Sequence, residues 1–270
     1  MEYQLDMYTK LHKIMTPTKR KAFLSVFFLF LLPIILHSQG TSGENASFES
    51  RAIIDMPTAG IAPKNSLTVF SLVREEGSVL LESSYTVFED VQIGGGFVFN
   101  NLIGTNDIET SLLPLVHLKW RVLNERNYLP AITAGFSTFG RGTFEHTNRI
   151  FQTNSPGLYV ALSKEWRWKL GAISTHAGVN YSLDPIESQR KPNIFFGLEQ
   201  ALTSRLSVLI EYNALIDDVR YSSGGLLNSA FRFSIVKGVT LEFQLRDILK
   251  NTSTTNSISR NVGLDFIIPL

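Results

Sequence analysis

The feature that most constrains this chain is a two-residue alternation of apolar and polar side chains that recurs from Ser66 to the last residues. In the segment VTLEFQLR, Val239, Leu241, Phe243 and Leu245 share one parity, and Thr240, Glu242, Gln244 and Arg246 share the other. Val116, Leu118, Trp120 and Val122 alternate with His117, Lys119 and Arg121. Leu206, Val208, Ile210 and Tyr212 alternate with Ser207, Glu211 and Asn213, interrupted by Leu209. Val262, Leu264, Phe266 and Ile268 alternate with Asn261, Gly263 and Asp265. A helix would scatter each set around its circumference, whereas a strand puts each set on one face.

Twelve such strands are predicted, near 66–74, 78–88, 91–100, 111–122, 128–138, 156–167, 170–182, 193–201, 204–213, 226–235, 238–247 and 258–269. Their connections sort by parity. Short ones fall at Glu89-Asp90, 123–127, Trp168-Lys169, Leu202-Thr203 and Val236-Lys237. The intervening ones, at 101–110, 140–155, 184–191, 215–225 and 249–256, are long and polar, and only the first of that set, near Glu75, is short. Tight turns on one side and extended loops on the other are the pattern of a transmembrane barrel.

Strand length agrees, because about 9–11 tilted residues cross a bilayer while soluble strands average about 5–6. The predicted fold is therefore all-β, an antiparallel up-and-down transmembrane β-barrel of about 12 strands. Its lumen-facing polar residues are expected to be Glu82, His117, Lys119, Arg121, Glu165, Glu199, Glu211, Arg232, Glu242, Gln244, Arg246 and Asp265. Phe88, Trp120, Tyr128, Trp166 and Trp168 stand beside the short turns, where a periplasmic-side aromatic belt belongs. A soluble β-protein is the competing reading of the alternation alone.

The first 39 residues read differently. Lys19-Arg20-Lys21 precedes an uncharged run over 22–36, followed by His37-Ser38-Gln39-Gly40. That is the layout of a cleaved signal peptide over 1–39, and the run is shorter than the roughly 20 apolar residues a spanning helix needs. Residues 40–65, polar, small and broken by Pro57 and Pro63, read as an extended periplasmic lead-in or a plug. Residues 66–270 make the barrel. Export to a bacterial outer membrane follows, with lipid and, during insertion, the barrel-assembly machinery as partners.

Composition removes several functions. Of 25 Lys+Arg and 24 Asp+Glu, residues 1–39 hold five and two, so the remainder is slightly acidic and nucleic acid is not an expected partner. There is no cysteine, hence no thiolate metal site or cysteine nucleophile. Of the histidines beyond the leader, His117, His146 and His176, no two stand at metal-ligand spacing, so no cofactor is expected. The outer-membrane phospholipase family also uses twelve strands but is marked by His-x-Ser; these histidines precede Leu118-Lys119, Thr147-Asn148 and Ala177-Gly178. No G-x-S-x-G occurs, and the expectation is a non-enzyme. The run Gly94-Gly95-Gly96 lacks a following G-K-[ST] and reads as room for a neighbour inside a barrel.

Leader, alternating strands and the terminal strand GLDFIIPL together resemble a Gram-negative outer-membrane β-barrel over the whole mature length. The segments MPTAGIAP (56–63), SPGLYVALSK (155–164), FGLE (196–199) and LIEY (209–212) resemble uncharacterised barrels akin to the YjbH-like family. That likeness implies a role in envelope or exopolysaccharide-related processes and carries no catalytic residue. The mixed signs of the lumen charges leave two readings. Opposed charges pair across a narrow interior and close it, making a structural barrel or one gated by residues 41–65, or separated walls form a porin-like channel for small polar solutes or oligosaccharides. The mixture favours the closed interior.

Overall fold

The computed structural model describes residues 49–270 apart from 112–113, 146–149, 170, 185–190, 204, 217, 219–223 and 252–257. The proposed leader, residues 40–48 and His146 lie outside the described residues. The strands are β1 (Ser66–Val73), β2 (Val79–Phe88), β3 (Val91–Asn100), β4 (Glu109–Thr110), β5 (Leu115–Leu123), β6 (Ala131–Ser137), β7 (Arg141–Glu145) and β8 (Ile150–Thr153). They continue with β9 (Gly157–Trp168), β10 (Gly171–Tyr181), β11 (Asn193–Ala201), β12 (Leu206–Asn213), β13 (Leu226–Val236), β14 (Val239–Arg246) and β15 (Ser259–Pro269).

Twelve of these are antiparallel staves of a closed barrel. β1 pairs with β2 on one side and with β15 on the other, from Ser66 opposite Pro269 to Val73 opposite Val262. Closure leaves the staves without a free edge, the condition for placing a sheet in hydrocarbon. The tiny β4 extends the end of β3. Two staves begin later than the alternation predicts, β5 at Leu115 and β6 at Ala131. Each follows a proline, Pro114 and Pro130, which has no N–H to give a ladder. Tyr128 consequently sits in a connection rather than on a strand.

The 140–155 connection is not plain loop. β7 and β8 pair as a hairpin whose Phe144 and Phe151 rings meet edge to face at 5.0 Å. They pack with Leu72, Leu80, Val98, Leu115 and Phe139, all inside the loop end of the barrel. Beside the charged positions named above, this end of the interior carries an apolar cluster, because it has a hydrophobic hairpin to bury.

The outward parity is apolar and exposed over the full circumference, including Leu81, Ile93, Phe97, Val116, Leu118, Val160, Leu198, Ile210, Phe231, Phe243 and Val262. So large an uncovered apolar band is what lipid covers. Phe88, Trp120, Tyr128, Trp166 and Trp168 are all exposed near the short-turn end. Lys164, which shares their outward parity on β9, reaches Glu125 at 2.8 Å and the carbonyl of Arg126 at 2.7 Å. Its ammonium is thereby drawn to the turn-end rim and kept out of the apolar band. The architecture is that of an outer-membrane β-barrel.

Candidate functional site

The inside of the cylinder is occupied by its own chain. Residues 49–62 pass in from the turn end, reverse at Ile53–Met56 and return to β1, closed at the neck by a bridge between Ala52 and Pro57. The two arms touch where Gly60 lies against Ser50: a Cβ on Gly60 would stand 2.2 Å from the Ser50 carbonyl oxygen. Ile53, Ile54 and Met56 are buried against Tyr159, Ala161, Phe195, Leu209 and Ala230 of the wall. Leu209 breaks the alternation of β12 for this reason, since its inward side chain faces a hydrophobic occupant.

All twelve residues expected in the lumen lie on the inward parity of their strands, and six of them hold this hairpin directly. Glu211 Oε2 accepts the backbone N–H groups of Ile54, Asp55 and Met56 at 2.9, 2.8 and 2.8 Å. Its other oxygen accepts from Asn228 Nδ2 at 3.0 Å. Arg232 donates to Ser50 Oγ at 2.6 Å and to the carbonyls of Ile53 at 2.9 Å and Ala52 at 3.3 Å. It is braced by Glu242 of the adjacent β14 at 2.6 Å and by Glu199 of β11, two staves away, at 3.6 Å. Lys119 donates to the carbonyls of Arg51 at 2.6 Å and Gly60 at 3.0 Å. Arg121 pairs with Glu49 and Asp265 pairs with Arg51. Arg246 pairs with Asp55 at the tip.

The remaining members bond within the wall. His117 lies 3.3 Å from Glu82, Arg167 lies 3.1 Å from Glu165, and Gln244 links Glu242 to Asn261. Charge pairing directly across an empty lumen is thus not how the interior closes. Instead the wall charges satisfy the backbone groups of an irregular segment, which is expensive to bury without partners. Ser163 shows the same use: its hydroxyl accepts the Ala59 N–H at 2.9 Å and meets His176 Nδ1 at 2.8 Å, so this Ser–His pair is engaged with hairpin backbone. Among the described residues no group of three or more His, Asp or Glu side chains could hold a metal ion.

Several residues that matter here carry no signal in the alternation. Asp55 is the one charge within the apolar tip, and Asn228 and Ser163 are ordinary inward polar positions on their strands. Arg74 lies just beyond the end of β1, although the predicted first strand reached it, and Arg141 lies at the start of β7, in a stretch expected to be loop. A cavity of about 160 Å3 remains beside the hairpin, bordered by Glu82, Gln92, His117, Phe139 and Tyr159 on the wall and by Asp55 on the hairpin.

Gly197 offers a test of the fit that touches no charge. A Cβ there would stand 2.5 Å from Ile53 Cδ1, so the bare glycine is what admits the Ile53 side chain. Gly197→Val is expected to weaken hairpin seating by about 1–3 kcal/mol, the usual range for overpacking a core. Faster backbone hydrogen exchange at residues 50–58, with the staves unchanged, is the readout.

No protein family matches the chain, and no curated protein matches it in sequence. Among solved structures it is similar to the KdgM porin at 9% identity and a TM-score of 0.44, covering 74% of this chain and 98% of that one. The NanC porin is similar at 8% identity and a TM-score of 0.42, covering 76% and 100% of the two chains. The Acinetobacter baumannii outer membrane protein Omp33 is similar at 8% identity and 0.41, covering 77% and 99%. The barrel itself stands on the register of its own strands rather than on these likenesses.

Proposed function

We propose that this protein is a non-enzymatic outer-membrane channel for small polar solutes, held shut at rest by its own N-terminal hairpin. The observation that carries the reading is the occupancy of the lumen by residues 49–62, clamped through Glu211, Arg232 and Lys119. Among the described residues the hairpin joins the wall at Ser66, and both its arms run to the turn end, so it can leave as a unit without breaking a stave. The short-turn end, with its exposed aromatics, is assigned to the periplasm and the long-loop end to the exterior. A link to exopolysaccharide work rests on the sequence resemblance to YjbH-like barrels alone.

The decisive experiment compares the whole protein with a chain lacking residues 49–62 in planar bilayers. The whole protein is expected to be silent or rarely open, and the shortened chain to give steady conductance steps. Heat-modifiable gel migration checks that both are folded barrels. A folded, shortened chain that passes no current would refute the channel reading.

A further inference from the structure

The tip of the hairpin carries one carboxylate into a group of arginines at the loop end. Asp55 Oδ2 accepts from Arg246 Nε at 3.0 Å and Asn228 Nδ2 at 3.2 Å. Asp55 Oδ1 lies 3.2 Å from Arg141 Nε, and Arg141 Nη2 donates to the Asp55 carbonyl at 3.0 Å. Arg74 is the third member. It donates to the Gly142 carbonyl at 2.7 Å, but its Nε and Nη2, like Nη1 of Arg141, are buried with no hydrogen-bond partner. Among the described residues Arg74 has no carboxylate within ion-pair distance.

Burial, together with the like charges of Arg141 and Arg246, pulls the Arg74 guanidinium down to about 9, and Asp55 is the charge that offsets them. Glu211 is close by but spends its oxygens on backbone N–H groups and Asn228. Three guanidinium groups around one carboxylate, with donors to spare, form a site built for an oxyanion that the tip fills only in part. The lumen cavity reaches it, since both Asp55 and Arg141 border that space.

We infer that Arg74, Arg141 and Arg246 form a binding site for a carboxylate-bearing solute, that Asp55 occupies it as an internal stand-in when the barrel is closed, and that such a solute competes with Asp55 and releases the hairpin tip. This rests on the hairpin acting as a gate. It adds the solute class and makes the solute its own key: whatever binds the arginines removes one of the contacts that hold the tip.

Titration of the full chain in detergent with succinate, followed by calorimetry, tests it. Asp55→Ala vacates the carboxylate position and is expected to bind succinate about tenfold or more tightly than the unaltered protein, whose own carboxylate competes. Asp55→Asn, which keeps the size and loses the charge, is expected to change in the same direction. Adding Arg141→Gln to Asp55→Ala abolishes the gain, and glucose binds neither chain. Equal succinate affinity with and without Asp55, or no binding to either Asp55 variant, overturns the inference. Inorganic phosphate bound in preference to succinate overturns the carboxylate assignment. Conductance of the chain lacking 49–62 is read separately. If that chain conducts and the Asp55 variants ignore succinate, the site fails and the gate stands. If the variants bind succinate and the shortened chain is silent, the gate fails.

Discussion

Replacing Glu211 with leucine is expected to open the barrel more than any other single wall substitution. One carboxylate oxygen serves the N–H groups of Ile54, Asp55 and Met56, and the residue is fully buried. Leucine fills similar space but accepts nothing. Each buried donor left without a partner costs about 1–3 kcal/mol, so three together disfavour the closed state by about 3 kcal/mol or more. That corresponds to a rise of about a hundredfold in the ratio of open to closed barrels. The staves keep their ladders, because Glu211 contributes only its side chain to this contact. Bilayer recordings should therefore show frequent openings, with gel migration of the folded barrel unchanged. Glu211→Gln, which retains a carbonyl oxygen, is expected to fall between the two. A silent Glu211→Leu chain would show that the apolar contacts of Ile53, Ile54 and Met56 suffice to keep the hairpin in place.

The second large effect lies on the other face. Leu198 is exposed at the middle of β11, opposite Thr175 and Ile210 of the adjacent staves. Leu198→Arg places a guanidinium in mid-bilayer, at a cost of about 2–4 kcal/mol for a lipid-facing site. Lys164 escapes this cost because Glu125 and the Arg126 carbonyl receive its ammonium. Unfolding from lipid vesicles by denaturant should register the loss for Leu198→Arg. Equal stability of the two chains would mean that this face does not meet hydrocarbon. The comparison separates wall from gate, since Leu198→Arg attacks the membrane fit and leaves the hairpin contacts untouched.

The alternation made the staves and their inner and outer faces legible from single segments. Parity is local: once Val239 faces out, Glu242 must face in, whatever the rest of the chain does. Departures from it were also informative. Leu209 on β12 and Phe195 on β11 are apolar at inward positions, and both are fully buried against the hairpin. Such interruptions record something greasy inside, although they do not say what it is. Boundaries at Leu115 and Ala131 followed from proline chemistry rather than from the apolar pattern.

The sequence by itself determined a twelve-stave cylinder with charged residues on its inner wall and aromatics near its short turns, because pleat period and turn length are properties of neighbouring residues. Only the tertiary structure decided what those charges do. Glu211 and Ile54 are separated by 157 positions along the chain, Arg246 and Asp55 by 191, and nothing in either segment announces the other. Closure brings the staves around residues 49–62. The polar wall then becomes a set of partners for buried backbone and for one carboxylate at the tip.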